Sequence, residues 1–102
     1  MTLTSKERAA LRGEAHHLTA LVHIGQHGVT DTVRETVDDV LRTRELVKIQ
    51  LTKSGDVKAK DLANELAEQM GADVVQVIGR TMTLYRENPD LPRKKGDEPP
   101  WR

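Results

Sequence analysis

Two glycines, Gly25 and Gly28, enclose Gln26 and His27 between a short apolar run and a segment with helical periodicity. Because glycine has no Cβ, the backbone of such a loop can come close to a ligand. The start of the following helix offers unpaired N–H groups and a partial positive charge, which suit a phosphate. The spacing therefore indicates a phosphate-binding loop, and the alternative is an ordinary turn between a strand and a helix. No Gly-Lys-Ser/Thr follows, which excludes a Walker loop.

The sequence on both sides of this loop alternates between helix and strand patterns. Thr4 and Glu7 have the spacing of a capping box, and Thr30 is placed to cap the second helix. Gly71 is a predicted C-cap, and Gly79 with Arg80 permits a tight hairpin. The first predicted helix runs to about Ala15, the second is capped at Thr30, and the third spans about Lys58–Met70. The predicted strands are Leu21–Ile24, Leu46–Leu51, Val74–Ile78 and Met82–Tyr85. A turn is predicted at Lys53-Ser54-Gly55-Asp56.

This order, α-β-α-β-α-β-β, predicts an α/β fold, a compact sandwich of one four-stranded sheet with three helices. We assign it to residues 1–86. All four prolines fall in residues 87–102, which carry almost nothing apolar and are expected to form a disordered, charged tail. Its basic triplet Arg93-Lys94-Lys95 is either solvated or part of an arm that touches phosphates.

Composition excludes several classes of protein. The chain has 102 residues, with 16 basic and 16 acidic side chains and a formal charge of zero, so a strongly basic nucleic-acid-binding domain is excluded. Zero cysteines exclude a disulfide scaffold and thiolate chemistry. With one Trp, one Tyr and no Phe, an aromatic platform for stacking bases is also excluded. No apolar run approaches the roughly 20 residues of a membrane span, and no signal-peptide pattern is present. We therefore expect a soluble, cytoplasmic protein with no membrane partner.

Four histidines raise the alternative of a metal site or an enzyme: His16, His17, His23 and His27 fall within twelve residues. Their spacing matches no common zinc pattern, and Asp38-Asp39 downstream does not complete one. No arrangement of nucleophile and base is visible either. We expect no cofactor, no metal, no small-molecule substrate and no catalysis.

Four strings of residues, in order, resemble a known family. They are Leu11-Arg12-Gly13-Glu14-Ala15-His16-His17-Leu18, Ile24-Gly25-Gln26-His27-Gly28-Val29-Thr30, Glu45-Leu46-Val47-Lys48-Ile49 and Val77-Ile78-Gly79-Arg80-Thr81-Met82-Thr83-Leu84-Tyr85-Arg86. Together they are similar to the CRM-domain (YhbY-like) RNA-binding family, in its stand-alone bacterial form, over about residues 3–86. The resemblance implies a fold similar to the C-terminal domain of bacterial translation initiation factor three. It also implies RNA binding through the glycine loop and association with precursors of the large ribosomal subunit.

With this resemblance, the loop and the basic residues near it become a predicted RNA-binding surface. Arg8 and Arg12 share one face of the first helix, and His16 continues that row if the helix extends. Lys48 lies on the polar side of its strand. The predicted contacts are Arg8, Arg12, His16, Gly25, Gln26, His27, Gly28, Lys48, Arg80 and Arg86. Each basic side chain, taken alone, could instead be a solvated surface charge. A protein-binding adaptor in ribosome-associated complexes, without strong RNA affinity, is the alternative function, and the neutral charge fits it better than it fits RNA binding.

The loop carries Gln26 and His27 where members of the family often have Lys or Arg. A histidine with an ordinary pKa of about 6.5 is only partly charged at neutral pH. We therefore predict tighter RNA binding at about pH 6 than at about pH 8, measured as a dissociation constant at fixed salt. A flat profile over this range would remove His27 from the RNA contact.

Overall fold

The computed structural model describes residues 4–25, 28–52 and 58–88. These residues form helices α1 (Ser5–Ala15), α2 (Asp31–Arg44) and α3 (Ala59–Met70), and strands β1 (Val22–Ile24), β2 (Leu46–Leu51), β3 (Asp73–Ile78) and β4 (Thr81–Tyr85). The predicted element order and fold class are confirmed, and the predicted element ends differ by only one residue. Gln26 and His27, the predicted turn at 53–56 and residues 89–102 lie outside the described residues.

The helix ends follow the predicted caps. Thr4 Oγ1 accepts a hydrogen bond from the Glu7 amide at 3.1 Å, and the Thr4 amide donates to Glu7 Oε1 at 3.0 Å. Hydrogen bonding to the carboxylate, first from the Thr4 amide and then from the Thr4 hydroxyl, holds the pKa of the Glu7 carboxyl below its ordinary value. The stabilisation is therefore present at neutral pH and is lost as the pH falls through the pKa of the folded state. Thr30 Oγ1 accepts from the Val33 amide at 3.2 Å, and Gly71 ends α3 with φ 64°.

The sheet has the strand order β1-β2-β4-β3. β1 pairs with β2 in parallel, and β4 lies antiparallel between β2 and β3. β1, β2 and β3 therefore run in the same direction, and their carboxyl ends meet at one edge of the sheet. We call this edge, with the loops that follow those strands, the carboxyl edge. Because α2 follows β1 and α3 follows β2, both helices also begin there.

The main core lies on the face of the sheet that α2 and α3 cover. Alternation along the strands sends Ile49, Met82 and Leu84 into this face, where all three are fully buried. Burying such side chains stabilises the fold by roughly 1.5–3 kcal/mol each. None of the described helices combines the length and apolar composition that a bilayer-spanning segment requires.

α1 covers only part of the opposite face. Leu11, fully buried, packs in a smaller cluster with Leu46, Val75 and Tyr85. The remainder of this face, which we call the open face, extends from α1 to the carboxyl edge. Its register places Lys48, Thr83 and Gln76 in one row across β2, β4 and β3, and Gln50, Thr81 and Ile78 in the next.

The folded part includes residues that the sequence assigned to the tail. The Asn88 amide donates to Glu45 Oε2 at 2.6 Å, and its side-chain nitrogen donates to the Arg42 carbonyl oxygen at 2.6 Å. Glu45 is 1% exposed and ends α2 in the left-handed region, with φ 65°. Asn88 is thus attached to the end of α2, whereas the predicted disorder of the tail stays a prediction.

Candidate nucleic-acid interface

Three connections meet at the carboxyl edge. Gly25 follows β1, Thr52 follows β2, and Gly79 with Arg80 joins β3 to β4. The Thr52 amide donates to the Ile24 carbonyl oxygen at 2.8 Å, and the Leu51 amide donates to the Arg80 carbonyl oxygen at 2.8 Å. These bonds hold the glycine loop and the hairpin on either side of the end of β2. Ligands of open α/β sheets bind outside the carboxyl ends of the strands.

The glycine loop is closed by its own backbone. The Gly28 amide donates to the Gly25 carbonyl oxygen at 3.0 Å, so this amide is not available to a phosphate. Gly28 has φ 66°, a conformation that favours glycine. Gly25 is exposed, and a Cβ added there would lie 3.6 Å from Thr52 Oγ1.

The amides that could hold an anion are those at the start of α2. The first amides of a helix lack intrahelical acceptors. Thr30 Oγ1 takes the Val33 amide, and the amides of Asp31 and Thr32 have no acceptor among the described residues. Among the described residues, the free donors therefore lie just beyond the two glycines.

Basic side chains also lie at the carboxyl edge. Arg80 is exposed at the hairpin, and Lys58 and Lys60 are exposed at the start of α3. Cations at a helix N-terminus interact unfavourably with the helix dipole. Sequence reasoning missed both, although lysines in a first helical turn were the available signal. Asp31 places a negative charge at the start of α2. Its side chain is 90% exposed and is paired with Arg34.

The predicted basic residues on and beside α1 differ in what they contact. The Arg8 guanidinium donates to the Val74 carbonyl oxygen and fastens α1 to β3. Arg12 is exposed, and His16, also exposed, lines a pocket on the open face. Lys48 Nζ donates to the carbonyl oxygens of Ala15 and Leu18, both at 3.3 Å, and so caps the C-terminal end of α1.

The pocket connects the α1 row to the carboxyl edge. Its lining includes His16 and Lys48 at one end and Ile78 and Thr81 at the other. Ile78 and Thr81 immediately flank the hairpin that carries Arg80. The structure therefore brings His16 and Lys48 to one pocket, whose far end lies beside the hairpin that carries Arg80.

The structure does not bring Arg86 to this pocket. Its guanidinium lies on the α2–α3 side of the sheet, where it donates to the Met70 carbonyl oxygen at 2.9 Å and pairs with Asp38 Oδ1 at 2.9 Å. A third contact, to the Asp38 carbonyl oxygen, measures 3.4 Å. Arg86 thus joins α2, α3 and the end of β4, a use that its position after the last strand could not reveal.

The histidines do not assemble with acidic residues. His16, His17 and His23 are exposed. Within the described part of the chain, no group of three or more His, Cys, Asp or Glu side chains is placed to hold a metal ion. His27, the fourth member of the sequence cluster, lies outside that part.

Comparison with known proteins identifies the family. The CRS1/YhbY (CRM) domain model matches residues 3–86. The chain is 35% identical to "Probable RNA-binding protein YqeI" of Bacillus subtilis, over 84% of this chain and 90% of the relative. It is 32% identical to a Haemophilus influenzae protein named "RNA-binding protein", over 91% and 98% of the two chains. The solution structure of the hypothetical protein SAV1595 from Staphylococcus aureus superposes with a TM-score of 0.76 at 33% identity, over 97% of this chain and 100% of that one. The chain belongs to the CRS1/YhbY (CRM) domain family.

Proposed function

We propose that this protein binds RNA at the carboxyl edge, within precursors of the large ribosomal subunit, and that it does so without catalysis. The observation that carries the proposal is the meeting of the glycine loop, the hairpin and two helix N-termini at one edge that also bears three exposed cations. The relatives reported above are named as RNA-binding proteins, and those names state no enzymatic activity.

The phosphate backbone is the part of RNA that this edge suits. A phosphate at the start of α2 would accept from the amides of Asp31 and Thr32, and Arg80 would neutralise a neighbouring phosphate. Such contacts position the RNA and carry little sequence information. They release counterions, so the logarithm of the binding constant falls with the logarithm of salt concentration, with a slope of about −0.7 per phosphate on a single strand.

Asp31 provides a test in which a substitution should make RNA binding tighter. Because its carboxylate lies beside the proposed phosphate, Asp31→Asn should tighten RNA binding, by roughly threefold to tenfold for a surface charge. The measurement is a fluorescence-anisotropy titration of labelled single-stranded RNA at two salt concentrations.

Asp39→Asn is the matched control. Asp39 pairs with Arg42 three residues on, as Asp31 pairs with Arg34, but it lies in the second half of the same helix. Its removal changes the net charge equally and should leave affinity within about twofold, because exposed charges separated by more than the screening length of about 10 Å interact weakly. Equal tightening by both variants would show an effect of overall charge and would contradict binding at the carboxyl edge.

The ribosomal target rests on the family resemblance. Crosslinking in cells, followed by sequencing of the attached RNA, should recover precursors of large-subunit ribosomal RNA. Enrichment of unrelated RNA, with none from the large subunit, would contradict the ribosomal target and leave RNA binding itself intact.

A further inference from the structure

The pocket on the open face has a polar floor that the fold does not use. Thr83 is 3% exposed and lines this pocket, since its neighbours Met82 and Leu84 turn into the core. Its hydroxyl has no hydrogen-bond partner among the described residues. Buried polar groups are nearly always hydrogen-bonded, to protein or to water, so this hydroxyl is available to a molecule that enters the pocket.

A β-bulge shapes one wall of the pocket. The register of β3 against β4 shifts between Val74 and Gln76. The extra residue lets Val75 pack beneath α1 while Gln76, next along the strand, lines the pocket on the same face. Bulges of this kind redirect side chains and are frequent beside functional sites. Gln76 stands directly opposite Thr83 and adds an amide with both donors and an acceptor.

The lining favours a neutral, heteroatom-rich ring over a phosphate. The one ammonium in the lining, on Lys48, already donates to two carbonyl oxygens at the end of α1. Thr81 and Thr83 supply hydroxyls, and Ile78, 58% exposed, supplies an apolar surface. The volume of about 140 Å³ is small beside the roughly 300–1,000 Å³ of pockets for drug-sized ligands. It suits a single small ring system.

From these observations we propose that the pocket receives one unpaired nucleobase of the bound RNA, with Thr83 and Gln76 reading its hydrogen-bonding edge. The proposal rests on the proposed function, since it requires RNA bound at the carboxyl edge. The pocket opens beside the hairpin of that edge, so an RNA strand held there by its phosphates can turn a base onto the open face. Sequence-specific recognition of RNA mostly targets unpaired bases. Binding therefore gains a base-dependent part that phosphate contacts cannot provide.

Thr83→Val tests the pocket with little change of shape. The substitution removes an unpaired buried hydroxyl and keeps the β-branch, so thermal stability should be unchanged or higher. The protein is titrated with four homopolymeric single-stranded RNAs and with a duplex of matched length. The unchanged protein should prefer single strands and discriminate among the four bases. In Thr83→Val the preferred homopolymer should bind about fivefold to tenfold more weakly, with discrimination reduced.

Two further variants complete the test. Gln76→Met, at a partly exposed position, should weaken binding of the preferred homopolymer to the same extent. It replaces Thr83→Val as the test if that variant perturbs folding. Thr36→Val, which removes a hydroxyl bonded to the Thr32 carbonyl oxygen on α2, should bind like the unchanged protein. Equal affinity for duplex and single strands, or unchanged binding by both pocket variants, would overturn the nucleobase pocket alone. Failure of the unchanged protein to bind any RNA would overturn the proposed function and the pocket together.

Discussion

Gln26→Asp combined with His27→Asp should remove RNA binding while leaving thermal stability nearly unchanged. Two new carboxylates between Gly25 and Gly28 would repel the phosphates that the carboxyl edge is proposed to hold. Each repulsion is worth about 1 kcal/mol at 4 Å in water and more near a protein surface, so the pair should weaken binding by at least about 30-fold. The readout is RNA affinity, with a melting curve to establish folding.

A matched double variant separates position from charge. Thr43→Glu with Gln69→Glu adds the same two charges at exposed positions near the C-terminal ends of α2 and α3, away from the carboxyl edge. This protein should retain most of its RNA affinity. If the loop variant still binds RNA, the loop is not in the interface. If it loses only protein partners, the adaptor function gains support.

Arg86→Met should lower the free energy of unfolding and leave RNA binding intact. The variant keeps an apolar stem but removes the donors to the Met70 carbonyl oxygen and to Asp38. Hydrogen bonds to charged groups are worth about 1.5–3 kcal/mol each when buried. The Arg86 side chain is 25% exposed and that of Asp38 is 48% exposed, so we expect a loss of about 1–3 kcal/mol in all, measured by denaturant unfolding.

Arg44→Met is the control for this loss. Arg44 is an exposed arginine in the last turn of α2, and its removal should change the free energy of unfolding by no more than about 0.5 kcal/mol. A stable Arg86→Met protein with weakened RNA binding would place Arg86 back in the interface and contradict its structural role.

The fold could be read from local patterns because each pattern has a local physical cause. The pairing of Thr4 with Glu7, the cap at Thr30 and the left-handed glycine at Gly71 each act within one helical turn. The alternation in Leu46–Leu51 likewise follows from the two faces of a strand. Parallel pairing of β1 with β2 joins segments far apart in the chain, and the sequence alone did not give it.

The candidate site could be predicted only in part, because a sequence shows which side chains are charged but not what they contact. Arg8 and Lys48 donate to backbone carbonyl oxygens within the fold, and only the packing of α1 onto the sheet reveals this. The floor of the pocket was missed because Thr83 and Gln76 are uncharged and because the bulge in β3 changes which face Gln76 occupies.

Binding at the carboxyl edge is tested most directly by following every backbone amide of the ¹⁵N-labelled full chain by NMR while single-stranded RNA is added. We expect the largest shift changes at Asp31, Thr32, Thr52 and Arg80, with little change at Arg44 and Asn88. Shift changes concentrated at the end of α2 near Asn88, with the signals of the carboxyl edge unchanged, would contradict binding at that edge.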